Sequence, residues 1–195
     1  MDKKLSEHIY FALVITDFDY ISVRHLMAGA LFPSAGALAN VVIDRYIKIA
    51  LMSAGRNDLI DVIKKWRGNK SHNVPEIMKL YKNEVGAIIE LTVAEQNILD
   101  NIYKCYCFRY VDEMFKTKGS CEIRMADMHT IDKVVSFFRN KIELISPHLG
   151  NTIIDVLLKG DPQAVSALST GNVDLRSVFL FDNPYFSDVS SASVH

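Results

Sequence analysis

The chain has 195 residues, of which 49% are hydrophobic and 23% are charged, as expected for one globular domain. Its formal net charge of −1 excludes a global field that draws the protein to nucleic acid or to an anionic membrane, although a local basic patch remains compatible. The sequence shows no secretory signal and no apolar run near the roughly 20 residues that cross a bilayer, so we expect a cytoplasmic protein without a membrane partner.

The first two predicted helices are separated by a proline. Apolar side chains recur at three- and four-residue steps over residues 5–29, which is the period of one helix face. Pro33 interrupts the pattern because proline cannot continue the helical hydrogen-bond ladder, and Ser34 is a suitable cap for the next helix. That helix, residues 35–53, is the most apolar of the chain, so we expect it at the centre of a bundle.

The third long helix is marked by its start. Asn73 is a good N-cap, and proline is tolerated in the first turn, where Pro75 stands. Glu76 occupies the position that a capping box gives to an acid. We therefore predict a helix over residues 73–86 after a polar loop at 67–72.

Capping signals also place the later helices. Thr92 with Glu95 predicts a helix over residues 92–117, and Gly119 ends it. The sequence further predicts a helical turn at 59–66 and a helix from about residue 126. Ser146-Pro147 and Asp161-Pro162 predict the starts of short helices at 147–159 and 162–169. We also consider extended segments at 121–125 and 177–181, and we expect a disordered end at 187–195.

These elements predict an all-α class. We expect an up-and-down bundle of four to five helices over residues 1–145, with a C-terminal extension of short helices over residues 146–195. Phe179, Phe181 and Phe186 make this extension too aromatic for a free tail, so it is expected to pack on the bundle or on a second subunit.

Three local patterns follow in order along the chain: Asp-Arg-Tyr-Ile-Lys at 44–48, Lys-Ser-His-Asn-Val at 70–74 and Phe-Arg-Tyr-Val-Asp at 108–112. Together they resemble motifs of the HEPN family of small helix bundles. Asp-Arg-Tyr-Ile-Lys at 44–48 is similar to the family's Glu-Lys-x-Leu-Lys run. Lys-Ser-His-Asn-Val at 70–74 resembles its His-Asp-Leu helix start, and Phe-Arg-Tyr-Val-Asp at 108–112 resembles its Arg-Tyr-Pro-Asp element. The resemblance covers about residues 5–145 and implies a helix bundle that forms a homodimer through helix faces.

The chain departs from the family pattern at three positions. Asp44, Asn73 and Val111 stand where the family has glutamate, aspartate and proline. Asp44 and Asn73 keep short polar side chains. Without the proline, the fourth helix is free to continue past Tyr110.

Arg67 and His72 match the Arg-x4-His spacing of RNA-cleaving HEPN members. The resemblance implies a ribonuclease that needs no metal, in which histidine moves a proton from a ribose 2′-hydroxyl and arginine stabilises charge on phosphate. Two features count against it, because Gly68 replaces the usual small polar residue and the pair precedes the third helix. Nearby side chains that could contact RNA are Lys64, Lys65, Lys70, Trp66 and Tyr81.

A second constellation lies on the second and fourth helices. Asp44 and Lys48 are one turn apart and pair as helix surface charges do, and Arg109 could meet Asp44 if the two helices are neighbours. The candidate ligand-binding residues are Asp44, Lys48, Asn73, Arg109, Tyr110 and Asp112. One interpretation is a nucleotide or phosphate site made from Lys48, Arg109 and His72, and the other, which we favour, is a network that fixes helix register.

Three functions stay open at this point. We prefer a non-catalytic HEPN-like module that binds a nucleotide-like anion or a protein partner, in a stress or phage-defence setting. The alternatives are a toxin-like, metal-independent ribonuclease acting through Arg67 and His72, and a purely structural oligomerisation domain. We expect no cofactor and no metal, since Cys105 and Cys107 are two residues apart on a helix and point in different directions.

Overall fold

The structure is a computed structural model that describes residues 3–87, 89–110, 120–142, 151–168 and 173–186. Within these ranges every regular element is a helix, which confirms the predicted all-α class. The elements are α1 (Lys3–Ala28), α2 (Phe32–Ser53), α3 (Asn57–Lys64), α4 (Val74–Val85), α5 (Val93–Cys107), α6 (Met128–Arg139), α7 (Ile153–Lys159), α8 (Pro162–Leu168) and α9 (Leu175–Leu180), with 3-10 turns at Gly68–His72 and Met125–Asp127.

Helix α2 lies at the centre of the bundle, as its apolar sequence predicts. It packs against α1, α3, α4, α5 and α6. Its buried side chains include Ile43, Tyr46 and Ile47, which face the surrounding helices from several directions. A helix that is apolar on most sides is stable only when neighbours cover those sides. None of the helices in the described ranges is both long enough and apolar enough to cross a lipid bilayer.

The predicted helix caps of α4 and α5 are confirmed. The Asn73 side chain accepts a hydrogen bond of 3.2 Å from the Glu76 backbone N–H. Gly86 ends α4 in the left-handed region at φ 74°, where a residue with a Cβ is strained. Thr92 and Glu95 form a reciprocal capping box, with distances of 2.7 and 3.2 Å.

The predicted start of α2 and the predicted end of α5 are wrong. Helix α2 begins at Phe32, so Ser34 lies inside its first turn, where backbone N–H groups need no helical partner and Pro33 is tolerated. Helix α5 ends at Cys107, with Phe108 as its C-cap, instead of continuing past Tyr110. The helix therefore ends before Val111 even though no proline stands at that position.

The C-terminal predictions are corrected in two places. The predicted extended segment at 177–181 is wrong, because Leu175–Leu180 form helix α9, which Asp174 caps by accepting hydrogen bonds from the N–H groups of Arg176 and Ser177. Helix α7 starts at Ile153 behind a capping box that Thr152 makes. The predicted start at Ser146-Pro147 and the predicted disordered end at 187–195 lie outside the described residues.

A buried ion pair ties α9 to the bundle. Arg24 of α1 pairs with Asp132 of α6, and both side chains are almost fully buried. The same guanidinium donates to the backbone carbonyls of Val178 and Phe181. Asp132 also accepts a hydrogen bond of 2.5 Å from the Tyr20 hydroxyl. One charged cluster therefore joins three elements that are far apart in sequence.

Aromatic packing supports the same junction. Phe179 and Phe186 are buried, and their ring centroids lie 6.3 and 5.9 Å from that of Tyr20. Asn183 donates to the Tyr20 hydroxyl at 3.2 Å. Phe181 remains 65% exposed, so the aromatic residues of this segment divide between core and surface.

A second buried network ties α7 to α1, α2 and α6. The Tyr46 hydroxyl donates to Asp17 at 2.5 Å, and Arg139 Nε lies 3.5 Å from the same carboxylate oxygen. Arg139 also donates to Thr152 at 2.7 Å and to Asp155 at 2.8 Å. Buried charges cost free energy unless they are paired, and here Arg139 is shared by two carboxylates.

A disulfide joins Cys105 of α5 to Cys121, while Cys107 is buried. The disulfide lies against α2 at Gly36, where an added Cβ would be 2.4 Å from the Ile123 side chain and 3.1 Å from Cys105 Sγ. Glycine is thus needed here so that α2 can approach α5 and the segment after Ser120 closely.

Candidate functional site

The candidate site begins with one polar stripe of the central helix. Asn40, Asp44 and Lys48 are spaced four residues apart, so they lie on one face of α2. The Asn40 amide donates to the His72 carbonyl at 2.9 Å, and Lys48 Nζ donates to the Ser71 carbonyl at 3.2 Å. The stripe therefore fixes the end of the 3-10 turn Gly68–His72 on α2.

His72 and Asp44 form the central contact of this stripe. His72 Nδ1 lies 3.0 Å from Asp44 Oδ2, and Lys48 Nζ lies 2.7 Å from Asp44 Oδ1. Nδ1 therefore faces the carboxylate, and Nε2, on the opposite edge of the ring, faces away from it. The His72 side chain is 43% exposed, whereas that of Asp44 is only 6% exposed. The buried Asp44 carboxylate therefore orients the imidazole, while part of the ring is accessible to solvent.

Arg109 lies above an aromatic ring next to this contact. Its guanidinium carbon is 3.8 Å from the centroid of the Tyr106 ring, and its Nε donates to the Tyr106 carbonyl at 3.1 Å. The Tyr106 ring centroid is in turn 5.4 Å from that of His72. The Arg109 side chain also interacts with the Tyr106 side chain and is exposed, so its guanidinium is accessible from solvent.

We call His72, Tyr106, Arg109 and Tyr110 the aromatic–cationic surface. Tyr110 is exposed, and its ring centroid lies 5.6 Å from the Arg109 guanidinium. Tyr103 stacks on Tyr106 with centroids 6.4 Å apart and planes inclined by 15°. Burial raises the pKa of Tyr106, and the charge of Arg109 opposes that rise, so its hydroxyl is neutral near pH 7.

A shallow groove adjoins this surface. It has a volume of about 420 Å³ and is lined in part by Ser34, Leu38, Phe108 and Arg109. Small-molecule sites typically occupy about 300–1,000 Å³ and combine apolar walls with a few polar groups. The groove is therefore large enough for a base or a comparable ring next to the Arg109 guanidinium.

The structure brings most of the predicted ligand-binding residues together, though not as predicted. Asp44 and Lys48 form the expected ion pair, and Asn73 serves as the cap of α4 beside His72. The predicted contact between Arg109 and Asp44 is wrong, since no hydrogen bond or ion pair joins these two described residues. Tyr106 lies where that contact was expected.

The two residues of the Arg-x4-His pattern, Arg67 and His72, do not pair with each other. Arg67 is exposed in extended backbone immediately before the 3-10 turn, and it makes no hydrogen bond or ion pair with His72. Asp112 lies outside the described residues. Tyr106 is the functional candidate that sequence reasoning missed, although Tyr103 and Tyr106, three residues apart, lie on one face of α5.

The fold and the site together define an all-helical bundle protein that presents an arginine on an aromatic ring. Comparison with protein-family models, with curated proteins and with solved structures finds no match for this chain. Within the described part of the chain, no group of three or more histidine, cysteine, aspartate or glutamate side chains is arranged to hold a metal ion.

Proposed function

We propose that this protein is a non-catalytic, HEPN-like module that binds a nucleotide-like anion at the aromatic–cationic surface. One observation supports this most strongly: the exposed guanidinium of Arg109 lies 3.8 Å from the centroid of the Tyr106 ring, and that ring lies 5.4 Å from the His72 ring. A planar guanidinium binds a phosphate through two parallel hydrogen bonds, and its rigid orientation lowers the entropic cost of binding.

The neighbouring groups would complete such a site. His72 would add a donor or acceptor at Nε2, and the exposed ring of Tyr110 offers a stacking surface for a base. Lys48 is assigned a different role, because its ammonium is already bound to Asp44 and to the Ser71 carbonyl. Asp44 and Lys48 would therefore position His72 without contacting the ligand.

The test is calorimetric titration of the full chain with AMP and with a short single-stranded RNA. Arg109→Met should weaken binding of both ligands about 10-fold or more, since a charge-assisted contact to phosphate is worth about 1.5–3 kcal/mol. Arg124→Met is the matched control, because Arg124 is also exposed but pairs with Glu122. Equal affinities for wild type and Arg109→Met would contradict the proposal.

The ribonuclease alternative is favoured by a different observation. The contact between His72 Nδ1 and Asp44 leaves Nε2 oriented outwards, as proton transfer from a ribose hydroxyl requires. The experiment is cleavage of labelled single-stranded RNA in EDTA by wild type, His72→Gln and Arg67→Met. Cleavage that both variants lose would establish the alternative, and absence of cleavage by a folded wild type would remove it.

A third candidate function, an oligomerisation module, is favoured by the outer face of α1. Phe11, Ile15 and Phe18 are 62%, 57% and 43% exposed, which is unusual for three large apolar side chains on one helix face. The same alternating steps of four and three residues continue through the exposed Lys4, His8, Ser22 and His25. Such steps give the roughly 3.5-residue repeat of a coiled-coil seam. A second copy of α1, antiparallel about Ile15, would cover this stripe symmetrically.

The homodimer is tested by light scattering after size-exclusion chromatography. Phe11→Glu and Phe18→Glu should convert a dimer into a folded monomer, because each places a charge in the apolar seam. Val93→Glu is the control, since Val93 is 74% exposed but lies on α5. A wild type that stays monomeric at about 100 μM, a concentration at which most specific interfaces are occupied, would exclude the seam.

A further inference from the structure

A cavity separate from the aromatic–cationic surface opens between α4, α5 and α6. Its volume is about 360 Å³, within the range of about 300–1,000 Å³ that small-molecule sites occupy. The buried side chains of Tyr81, Leu99 and Phe138 form its floor. The partly buried side chains along its apolar walls are Met78, Ala87, Ile89, Leu91 and Phe137.

Tyr81 places a single polar group on this apolar floor. The residue is 3% exposed, and Phe138 holds its ring edge-on with centroids 5.1 Å apart. The Tyr81 hydroxyl makes no hydrogen bond with another described residue, yet it is not among the enclosed polar atoms without a partner. It is therefore accessible from the cavity. A buried hydroxyl normally has a partner, so its position indicates a ligand with a matching polar atom.

The charged side chains at the rim of the cavity are those of Lys79, Lys82 and Asp100. Lys79 bonds Glu76 at 2.6 Å, and the carboxylates of Glu76 and Asp100 together raise the pKa of Lys79. Lys79 is thus paired with Glu76. Lys82, one turn along α4 from Met78, lines the same cavity and has no ion-pair partner among the described residues. A ligand that enters is therefore favoured if it carries a negative charge towards Lys82.

We propose that this cavity binds a small aromatic carboxylic acid. The aromatic ring would pack between Met78, Leu91 and Phe137, where the walls are apolar. A polar ring atom would share a hydrogen bond with the Tyr81 hydroxyl, and the carboxylate would face Lys82. None of these residues belongs to the aromatic–cationic surface, so this site is independent of the proposed anion binding there.

The probe is indole-3-acetate, compared with the matched cation tryptamine, by NMR titration of the full chain labelled at methyl groups. We expect indole-3-acetate to bind with a Kd on the order of 1 mM or tighter, as for a good ligand of this size, and tryptamine to bind at least several-fold more weakly. The methyl signals of Met78, Leu91 and Leu99 should shift, because they line the cavity.

Two conservative variants test the two polar contacts. Tyr81→Phe keeps the ring and should weaken binding about 2- to 10-fold, the effect of one lost hydrogen bond. Lys82→Met keeps the length of the side chain and should weaken binding about 2- to 5-fold, as expected for an exposed charge. The matched controls, Tyr10→Phe on α1 and Lys65→Met after α3, should leave the affinity unchanged.

Several outcomes would overturn the proposal. They are equal binding of tryptamine, unchanged affinity in Tyr81→Phe and Lys82→Met, shifts confined to other methyl groups, or no binding up to about 10 mM, the limit for a weak specific contact. Circular dichroism of each variant establishes that the fold is intact. Since Arg109→Met does not alter this cavity, failure here is distinguishable from failure of the proposed anion site.

Discussion

At the scale of single residues, the local signals of the sequence give the most dependable predictions. Asn73 and Thr92 are confirmed as caps because a cap depends only on residues within one turn. Tyr106 was missed because its importance depends on Arg109 and on His72, which lies in another element. A contact across the fold leaves no short-range pattern in the sequence.

Glu95 gives a test of one local contact. The hydrogen bond from Lys133, at 2.8 Å, holds the pKa of Glu95 below its usual value, and the Thr92 contacts add to this. A carboxylate with a depressed pKa stabilises the fold above its unfolded pKa, and that stabilisation is lost as pH falls through the folded pKa. Glu95→Gln, which keeps the capping box, should therefore cost about 0.5–1 kcal/mol near pH 7 and less near pH 3.

Urea denaturation of both proteins at the two pH values measures this difference. Lys133→Met is the companion variant, because it removes the partner and should remove the same pH-dependent contribution. A penalty for Glu95→Gln that is equal at both pH values would contradict the assignment of the low pKa to this ion pair.

Gly36 gives a test of close packing. Gly36→Ala should destabilise the fold by about 1–3 kcal/mol, since the new Cβ would lie 2.4 Å from the Ile123 Cδ1 atom. Ile123→Val removes that atom and should lower the penalty when the two changes are combined. Thermal unfolding of the two single variants and the double variant gives the coupling energy between positions 36 and 123. Simple additivity of their effects would show that α2 moves away from the Ile123 segment instead.

At the scale of helices, capping signals place the starts better than the ends. Helix α5 ends at Cys107 although no proline or glycine marks that position. Residues 175–180 are helical because Asp174 caps them and Phe179 is buried, whereas their aromatic and β-branched side chains had suggested an extended segment. Tertiary contacts override such weak propensities.

The Arg24–Asp132 ion pair is the element-scale contact whose removal should be most costly. Arg24→Met leaves Asp132 buried without its cation, so we expect a loss of about 3–5 kcal/mol in the free energy of unfolding. Burial raises the pKa of Asp132, and the charge of Arg24 opposes that rise. Combining Arg24→Met with Asp132→Asn should recover part of the loss, because no charge is then left buried.

Chemical denaturation of the single and double variants measures this coupling. Limited proteolysis is the second readout, since α9 is held through the carbonyls of Val178 and Phe181 that Arg24 binds. If Arg24→Met changes neither the stability nor the cleavage of this segment, the ion pair does not hold α9 on the bundle.

At the scale of the whole molecule, the all-α class and the central position of α2 follow from apolar periodicity alone. The disulfide does not, because three cysteines leave the pairing open and only the packing of Cys121 against α5 decides it. A cytoplasmic location stays a prediction, and the disulfide argues against it, since such bonds are more usual in oxidising compartments. The HEPN resemblance and the defence or stress setting also stay predictions.

The aromatic–cationic surface is the central claim, and the chemical shift of one side chain tests it most directly. The Nε–Hε signal of Arg109, assigned from its disappearance in Arg109→Met, is followed while AMP is added to the full chain. We predict that this signal and the His72 imidazole signals move together and saturate, whereas the signals of Arg56 and Arg124, which are paired with carboxylates, do not move. An Arg109 signal that stays in place while AMP binds elsewhere, or while AMP does not bind, would contradict the account.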